Sequence, residues 1–179
     1  MKPQFCLTAS GCLIHQGKVL LVKHRKLEMW LNPGGHLDPG ELPHLGAERE
    51  FFEETGVEVE AYGTNIEIGG PDREHDQFLP NPIATNLHWI SRENYEARLE
   101  AEKNKASDYA RSPLWQRGCE QHLNFHYLMR LKDQSVEPTL THDDRESLDS
   151  GWFYQEELDQ LTIWPAIRAE IDLAFSLVA

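Results

Sequence analysis

The stretch Gly34–Val57, GGHLDPGELPHLGAEREFFEETGV, places Glu50, Glu53 and Glu54 within a single short run. On an α-helix these positions, spaced i, i+3 and i+4, project from the same face. Each pair of like charges at that spacing destabilises the helix by about 0.2–0.5 kcal/mol unless an opposite charge neutralises it. Carboxylate oxygens are hard ligands that select Mg²⁺ or Mn²⁺ over softer metals. The cluster therefore predicts a divalent metal site.

Helix signals frame this cluster. Pro43 suits a first helical turn and Gly56 suits a left-handed C-terminal cap, so a helix is predicted from about Pro43 to Thr55. Most glutamate-rich helix faces are simply solvated surface. Two features favour a site here: apolar Phe51 and Phe52 anchor the helix in a core, and a Gly-Gly turn before it lets backbone approach a ligand closely.

The residues Gly35-x5-Glu41-x7-Arg49-Glu50-Phe51-x-Glu53-Glu54-x-Gly56-Val57 fill every fixed position of the Nudix box. The chain thus resembles the Nudix hydrolase family, and the preceding KVLLVKH and WLNPGG segments are also similar to that family. Two positions depart from the usual pattern: Leu42 cannot cap the helix through its side chain, and Gly46 replaces a commoner alanine. Both departures affect the helix rather than the predicted ligands.

The resemblance implies a role for each residue of the box. Glu50, Glu53 and Glu54 would ligate Mg²⁺ or Mn²⁺, and Glu41 would support the metal directly or through water. Arg49 would orient the carboxylates. Gly35 would allow the close approach of loop to helix and contribute its backbone to the metal site. The implied reaction is hydrolysis of a pyrophosphate bond in a nucleoside diphosphate linked to another moiety: a nucleotide sugar, an ADP-ribose-like compound or a nucleoside triphosphate.

The general base has two candidates. Within the family it is either a box glutamate, here Glu50, or a glutamate from a later loop, for which this chain offers Glu146. Glu146 would serve either as this base or as a further metal ligand. Asp143 and Asp144 compete with Glu146 in the same acidic stretch, which is equally compatible with a plain surface loop.

The stretch CEQHLNFHYLMRL places His122, Asn124 and His126 on one strand face, where they either line the substrate pocket or pack against polar loops. Cys119 with His122 and His126 is a weak zinc set, because Cys119 has the opposite parity and no fourth ligand has suitable spacing. Trp89, Trp115 and Tyr127 are candidates for base stacking, although aromatics on strands are more often core.

Coarse patterning predicts a mixed β-sheet covered by helices on both faces, an α/β/α sandwich as in the Nudix fold, within a single domain of residues 1–179. A hairpin is expected around Gln16–Gly17, and a loop over residues 31–41. Strands are expected at 57–68, 83–90, 119–131 and 151–154, and a last helix at 164–178. An inserted segment at about 92–118, helical until before Pro113, has three open roles: a lid, a specificity loop or the contact of a homodimer.

Composition limits the function classes. A formal net charge of −13 argues against stable binding to nucleic acid, although a bound cation still permits an anionic substrate. Three cysteines without a C-x-x-C pair predict no disulfide framework, and the N-terminus lacks a signal-peptide pattern. No apolar run reaches the length of a membrane span. These features predict a cytoplasmic protein.

Two rival functions share the fold. A catalytically silent nucleotide-binding or regulatory module would be indicated by loss of a box glutamate, and none is lost. An isomerase of isopentenyl diphosphate would carry a cysteine beside the glycine–histidine turn, which reads Pro33-Gly34-Gly35-His36 here.

Overall fold

In the computed structural model, residues 2–63, 78–135, 137–141 and 147–178 are described. The strands are β1 (Phe5–His15), β2 (Lys18–His24), β3 (Trp30–Leu31), β4 (Gly34–His36), β5 (Val59–Tyr62), β6 (Ala84–Trp89), β7 (Gln121–Leu131) and β8 (Ser147–Tyr154). The helices are α1 (Pro43–Thr55), α2 (Arg92–Lys103), α3 (Pro165–Val178) and a 3-10 helix, Gln155–Gln160.

These strands form one mixed sheet with β1 near its centre. Strand β1 runs parallel to β7, from the pair Phe5↔Gln121 to the pair Leu13↔Met129, and antiparallel to β2 and β4. Strands β5 and β6 extend the sheet beyond β7, while β3 and β8 pair with β2. A parallel pair needs a long crossover connection, which is why β1 and β7 are far apart in sequence.

The hairpin between β1 and β2 is confirmed. Its turn residues Gln16 and Gly17 both have positive φ, 51° and 76°. A two-residue turn of this kind matches the right-handed twist of the two strands it joins.

Successive residues of the central strands pack on opposite faces of the sheet. Leu13, Leu20 and Met129 join a core under α1 that includes the fully buried Phe51. Their neighbours in sequence join a second core that α3 covers through Ile171 and Ala174. Strand side chains alternate between faces, so the two cores lie on either side of the sheet. The predicted α/β/α sandwich with a mixed sheet is confirmed.

Several element boundaries differ from expectation, and the part of the strand predicted at 57–68 that follows residue 63 lies outside the described residues. Helix α2 ends at Lys103 rather than near Pro113, because Lys105 adopts a left-handed conformation with φ 55°. The stretch predicted as a loop at 31–41 includes β4, which pairs with β1. Strand β8 begins at Ser147, four positions before the predicted start at Gly151.

Candidate active site

Helix α1 is held in a fixed orientation by its apolar face and its ends. Ala47 and Phe51 have no exposed surface. The C-terminal cap is Gly56, with φ 70°, and its N–H donates to the carbonyl oxygen of Phe52. Leu42 makes no side-chain cap hydrogen bond, as predicted, and Pro43 opens the first turn. The carboxylates of Glu50 and Glu54, which are buried on the same helix beside these apolar residues, therefore start from a rigid element.

The glycine turn before α1 touches two of these carboxylates. The backbone N–H of Gly34 donates to Glu54 Oε2 at 3.0 Å. A Cβ added at Gly35 would collide with the carboxylate of Glu50. Only a glycine at position 35 leaves room for this carboxylate beside the backbone.

Arg49 connects the carboxylates to one another. Its guanidinium donates to Glu41 from Nε at 2.9 Å and from Nη2 at 2.8 Å, a bidentate pair. Its Nη1 donates to Glu50 Oε1 at 2.8 Å and to Glu53 Oε2 at 3.4 Å, while Nη2 also reaches the carbonyl oxygen of His36 at 3.0 Å. These carboxylates raise the pKa of Arg49, with the hydrogen bond to Glu41 contributing most. The planar fork of arginine suits this positioning task.

Glu41 faces Arg49 rather than the cavity described below. The backbone N–H of Asp38 also donates to Glu41 Oε2, at 2.9 Å. The hydrogen bond from Arg49 is the largest influence on Glu41 and lowers the pKa of its carboxyl group. This arrangement supports an indirect role for Glu41, through Arg49.

Glu50, Glu53 and Glu54 all line one cavity of about 1090 Å³. Glu50 and Glu54 are buried, whereas the Glu53 side chain is 56% exposed. Within the described ranges, one group of three acidic, histidine or cysteine residues has ligand atoms that all lie within 4.8 Å of one another, and it contains no residue of α1. The oxygens of Glu50, Glu53 and Glu54 are therefore more widely spread. Three carboxylates beside a glycine turn, where a Cβ at Gly35 would displace Glu50, are a donor set that fits a hard divalent cation.

The polar face of β7 divides between cavity and core. His122 and Asn124 line the cavity. His126 has no exposed surface, and its Nδ1 lies 2.8 Å from Ser10 Oγ. Asn124 Nδ2 donates to the same hydroxyl at 3.0 Å, so the Ser10 O–H is available to donate to His126. Burial lowers the pKa of His126 to about 4 and that of His122 to about 3. His126 thus holds β1 against β7 and does not reach the cavity lining.

The opposite wall contains polar groups that the sequence did not single out. Glu170 of α3 accepts a hydrogen bond from Asn86 Nδ2 at 2.5 Å, and His88 Nδ1 lies 2.8 Å from Asn86 Oδ1. All three residues line the cavity. Burial raises the pKa of Glu170 and lowers that of His88. Their sequence signal is weak, because only the fold brings α3 over β6.

Of the three aromatic candidates, Trp89 and Trp115 line the cavity, whereas Tyr127 is buried in the core. The guanidinium of Arg92 lies 4.4 Å from the Trp89 ring centroid. Trp89 is thus already in cation–π contact with Arg92, and Trp115 is the better candidate for stacking on a planar ligand.

The prediction that the cysteines form no disulfide is wrong. Cys6 and Cys119 are joined by a disulfide, with Cα atoms 5.9 Å apart, and Cys12 is free and buried. The pair is separated by 113 residues in sequence and meets only because β1 and β7 are parallel neighbours.

The later acidic stretch cannot be placed against this cavity. The candidate base Glu146 and its competitors Asp143 and Asp144 lie outside the described residues. Glu50, the alternative base, lines the cavity.

Comparison with known families agrees with this geometry. The profile of the NUDIX domain matches residues 7–116, which contain all of α1 and the glycine turn. The chain belongs to the Nudix family.

Solved structures and curated proteins extend this likeness. A NUDIX-family hydrolase from Clostridium perfringens has a TM-score of 0.70 and 25% identity, covering 98% of this Nudix chain and 99% of its own. An ADP-ribose pyrophosphatase from Streptococcus suis 89-1591 has a TM-score of 0.57 and 16% identity, covering 98% and 92%. That likeness shows the fold.

A MutT-like protein from Streptomyces ambofaciens is 34% identical over 59 residues, which is 32% of this chain. The match spans only 38% of that relative's own length, and the match to a second curated relative spans only 26% of it. Within the described ranges, no helix combines the length and apolar character needed to cross a bilayer.

Proposed function

We propose that this Nudix protein hydrolyses the pyrophosphate bond of a nucleoside diphosphate linked to another moiety, with Mg²⁺ or Mn²⁺ as cofactor. The observation that carries the proposal is that Glu50, Glu53 and Glu54 line a single cavity large enough for a nucleotide, of about 1090 Å³. Substrate classes consistent with this cavity are nucleotide sugars, ADP-ribose-like compounds and nucleoside triphosphates.

Glu50, Glu53 and Glu54 would hold the cation. When bound, it would neutralise charge on the phosphoryl oxygens and lower the pKa of the attacking water. Arg49 would keep Glu50 and Glu53 in position through its Nη1 contacts. Because the cation would supply the positive charge, an acidic protein can act on an anionic substrate.

The attacking water also needs a general base that takes its proton. Glu50 is one candidate for the base, because its carboxylate is buried at the cavity wall. Glu146 is the other, as the later-loop glutamate that the family resemblance implies. Removing either base should lower kcat far more than it changes KM, since a base acts in the transition state.

The substrate moiety would occupy the wall opposite α1. His122 and Asn124 on β7, with Trp115 from the segment after α2, supply hydrogen-bonding groups and an aromatic face there. Every base has a π-face, so aromatic contact accepts several nucleotides. The residues of this wall would determine substrate specificity, while the carboxylates of α1 would support the pyrophosphate hydrolysis that all these substrates share.

The wider setting of the protein is part of the same proposal. A single domain spanning residues 1–179, a cytoplasmic location and no stable nucleic-acid partner all stay predictions. The segment at 92–118 packs on the domain through Arg98 and Glu120, and its exposed surface is the candidate contact for a homodimer. Light scattering in solution tests that part directly.

A substrate screen tests the activity. The protein with Mg²⁺ is given a panel of nucleoside diphosphate derivatives, and phosphate-containing products are measured. We expect turnover of at least one class and its loss in Glu53→Gln. A matched control is Glu96→Gln, the same change at an exposed position of α2, which should retain activity.

Two results would contradict the proposal. Absence of product from every class would indicate a catalytically silent binding module. Equal turnover in wild type and Glu53→Gln would mean that the box carboxylates do not hold the catalytic cation.

A further inference from the structure

A second group of potential ligands lies at the cavity wall, where His36 and Cys119 line the cavity and Cys6 lies beside them, apart from the carboxylates of α1. The Sγ atoms of Cys6 and Cys119 and a ring nitrogen of His36 all lie within 4.8 Å of one another. His36 Nε2 is 3.2 Å from Cys119 Sγ. Three separate parts of the chain supply these atoms: the start of β1, the segment before β7, and β4.

His122 neighbours this trio, although its ring nitrogens do not lie within 4.8 Å of all three donor atoms. Cys6 and His122 are paired residues of the parallel strands β1 and β7, so their side chains lie on the same face of the sheet. The His122 ring contacts the His36 ring edge-on, with centroids 4.7 Å apart. Among the described residues, the buried Nε2 of His122 has no hydrogen-bond partner. Buried polar atoms are rarely left without a partner, so this nitrogen points to a ligand.

We propose that, once the Cys6–Cys119 disulfide is reduced, Cys6, Cys119, His36 and His122 bind one Zn²⁺ ion. Two thiolates and two neutral imidazoles form a common tetrahedral zinc set. The two thiolate charges balance the charge of the ion, which suits a half-buried location. Soft sulfur donors also distinguish this site from the carboxylates, which favour Mg²⁺ or Mn²⁺.

The chemistry begins from the disulfide seen in the structure. A water-soluble phosphine cleaves the S–S bond and is oxidised to the phosphine oxide, while water supplies the oxygen atom and the two thiol protons. Zn²⁺ then binds and displaces one proton from each thiol, so that uptake releases two protons. Disulfide and zinc are thus alternative states of the same cysteine pair.

The site would be coupled to the catalytic turn without being part of it. His36 follows Gly35 directly, and its carbonyl oxygen accepts a hydrogen bond from Arg49 at 3.0 Å. Zinc would therefore join β1, β4 and the segment before β7 at the position where the glycine turn leaves the sheet. Its expected effect is to stabilise this wall of the cavity.

Cobalt provides the test, because it reports ligand type through its spectrum. Phosphine-reduced, desalted protein is titrated with Co²⁺ under anaerobic conditions. We expect one equivalent to give near-ultraviolet thiolate-to-cobalt absorption and strong visible bands of tetrahedral cobalt, and one equivalent of Zn²⁺ to remove both. Native mass spectrometry of wild-type protein with Zn²⁺ gives the stoichiometry without any substitution.

Variants assign the ligands. Cys6→Ser and Cys119→Ser should abolish the thiolate absorption, and His122→Gln should weaken cobalt binding at least about tenfold. The matched control is Cys12→Ser, which changes a cysteine in the core on the α3 side and should keep the full spectrum. Glu54→Gln should also keep it, even where pyrophosphate hydrolysis is lost, so this test is independent of the proposed activity.

Three results would overturn the zinc site. The first is the absence of the cobalt bands from reduced wild-type protein. The second is their persistence in Cys6→Ser. The third is identical cobalt binding by protein whose disulfide is intact. An unchanged affinity in His122→Gln would overturn the assignment of the fourth ligand.

Discussion

Stability below neutral pH should depend strongly on His126. This side chain has no exposed surface, and burial lowers the pKa of its imidazole from the ordinary 6.5 to about 4. In the folded protein His126 therefore stays neutral until about pH 4, whereas in the unfolded chain it takes up a proton below pH 6.5. Proton uptake by the unfolded chain destabilises the fold as the pH falls.

The size of this effect follows from the two pKa values. One pKa unit corresponds to about 1.4 kcal/mol, so the gap between 6.5 and about 4 corresponds to about 3 kcal/mol in the free energy of unfolding. The contribution is fully present above pH 6.5 and is lost progressively between pH 6.5 and pH 4. His126→Gln carries no titrating group and can still accept the hydrogen bond from Ser10.

Urea unfolding of both proteins between pH 7 and pH 4 measures the effect. The free energy of unfolding of wild type minus that of His126→Gln should fall by about 3 kcal/mol over this interval. The control, Phe125→Leu at the next position of β7, removes packing but no proton site. Its difference from wild type should stay constant within about 0.5 kcal/mol. A constant difference for His126→Gln as well would refute the reasoning from burial.

Three further predictions concern other parts of the molecule. Gly35→Ala should lower metal-dependent turnover at least about tenfold, because the new Cβ displaces the Glu50 carboxylate. Gly40→Ala should lower stability, because Gly40 has a φ of 83°, but should keep turnover, because its Cβ would meet no atom within 4 Å. Glu120→Gln should cost about 3 kcal/mol in chemical unfolding, because the buried Arg98 loses its fully buried partner. Glu60→Gln, at an exposed pair with Arg130, should cost under about 1 kcal/mol, and equal costs would contradict the role of burial. Burial raises the pKa of Glu170, so this group stabilises the fold at low pH and loses that contribution as the pH rises through its folded pKa. Glu170→Gln should therefore raise Tm relative to wild type more at pH 8 than at pH 4, and a pH-independent difference would be contrary evidence.

Local signals were sufficient for the element that holds the candidate metal site. Pro43 and Gly56 predicted the observed bounds of α1, Pro43–Thr55, because both residues act through backbone constraints that need no partner. The irregular alternation of predicted strands and helices likewise predicted a mixed sheet covered on both faces. The overlong prediction for α2 has the opposite cause: its charged sequence continues past the point where Lys105 turns left-handed.

Features that depend on distant parts of the chain were not predictable in this way. Cys6 meets Cys119 across 113 residues, and His36 joins them from a third segment. From spacing alone, Cys119 formed only a weak zinc set with His122 and His126, and in the structure His126 lies beside Ser10 and away from the cavity lining. Spacing along one strand cannot show which residues a parallel neighbouring strand brings alongside.

The central claim is that the carboxylates of α1 bind a divalent cation, and calorimetric titration with Mn²⁺ tests it most directly. Wild-type protein, with its cysteine pair kept oxidised, should take up Mn²⁺ saturably, and a nucleotide should strengthen the uptake. The variant Glu50→Gln/Glu54→Gln should bind at least about tenfold more weakly. Superimposable isotherms for the two proteins, with and without nucleotide, would contradict the claim.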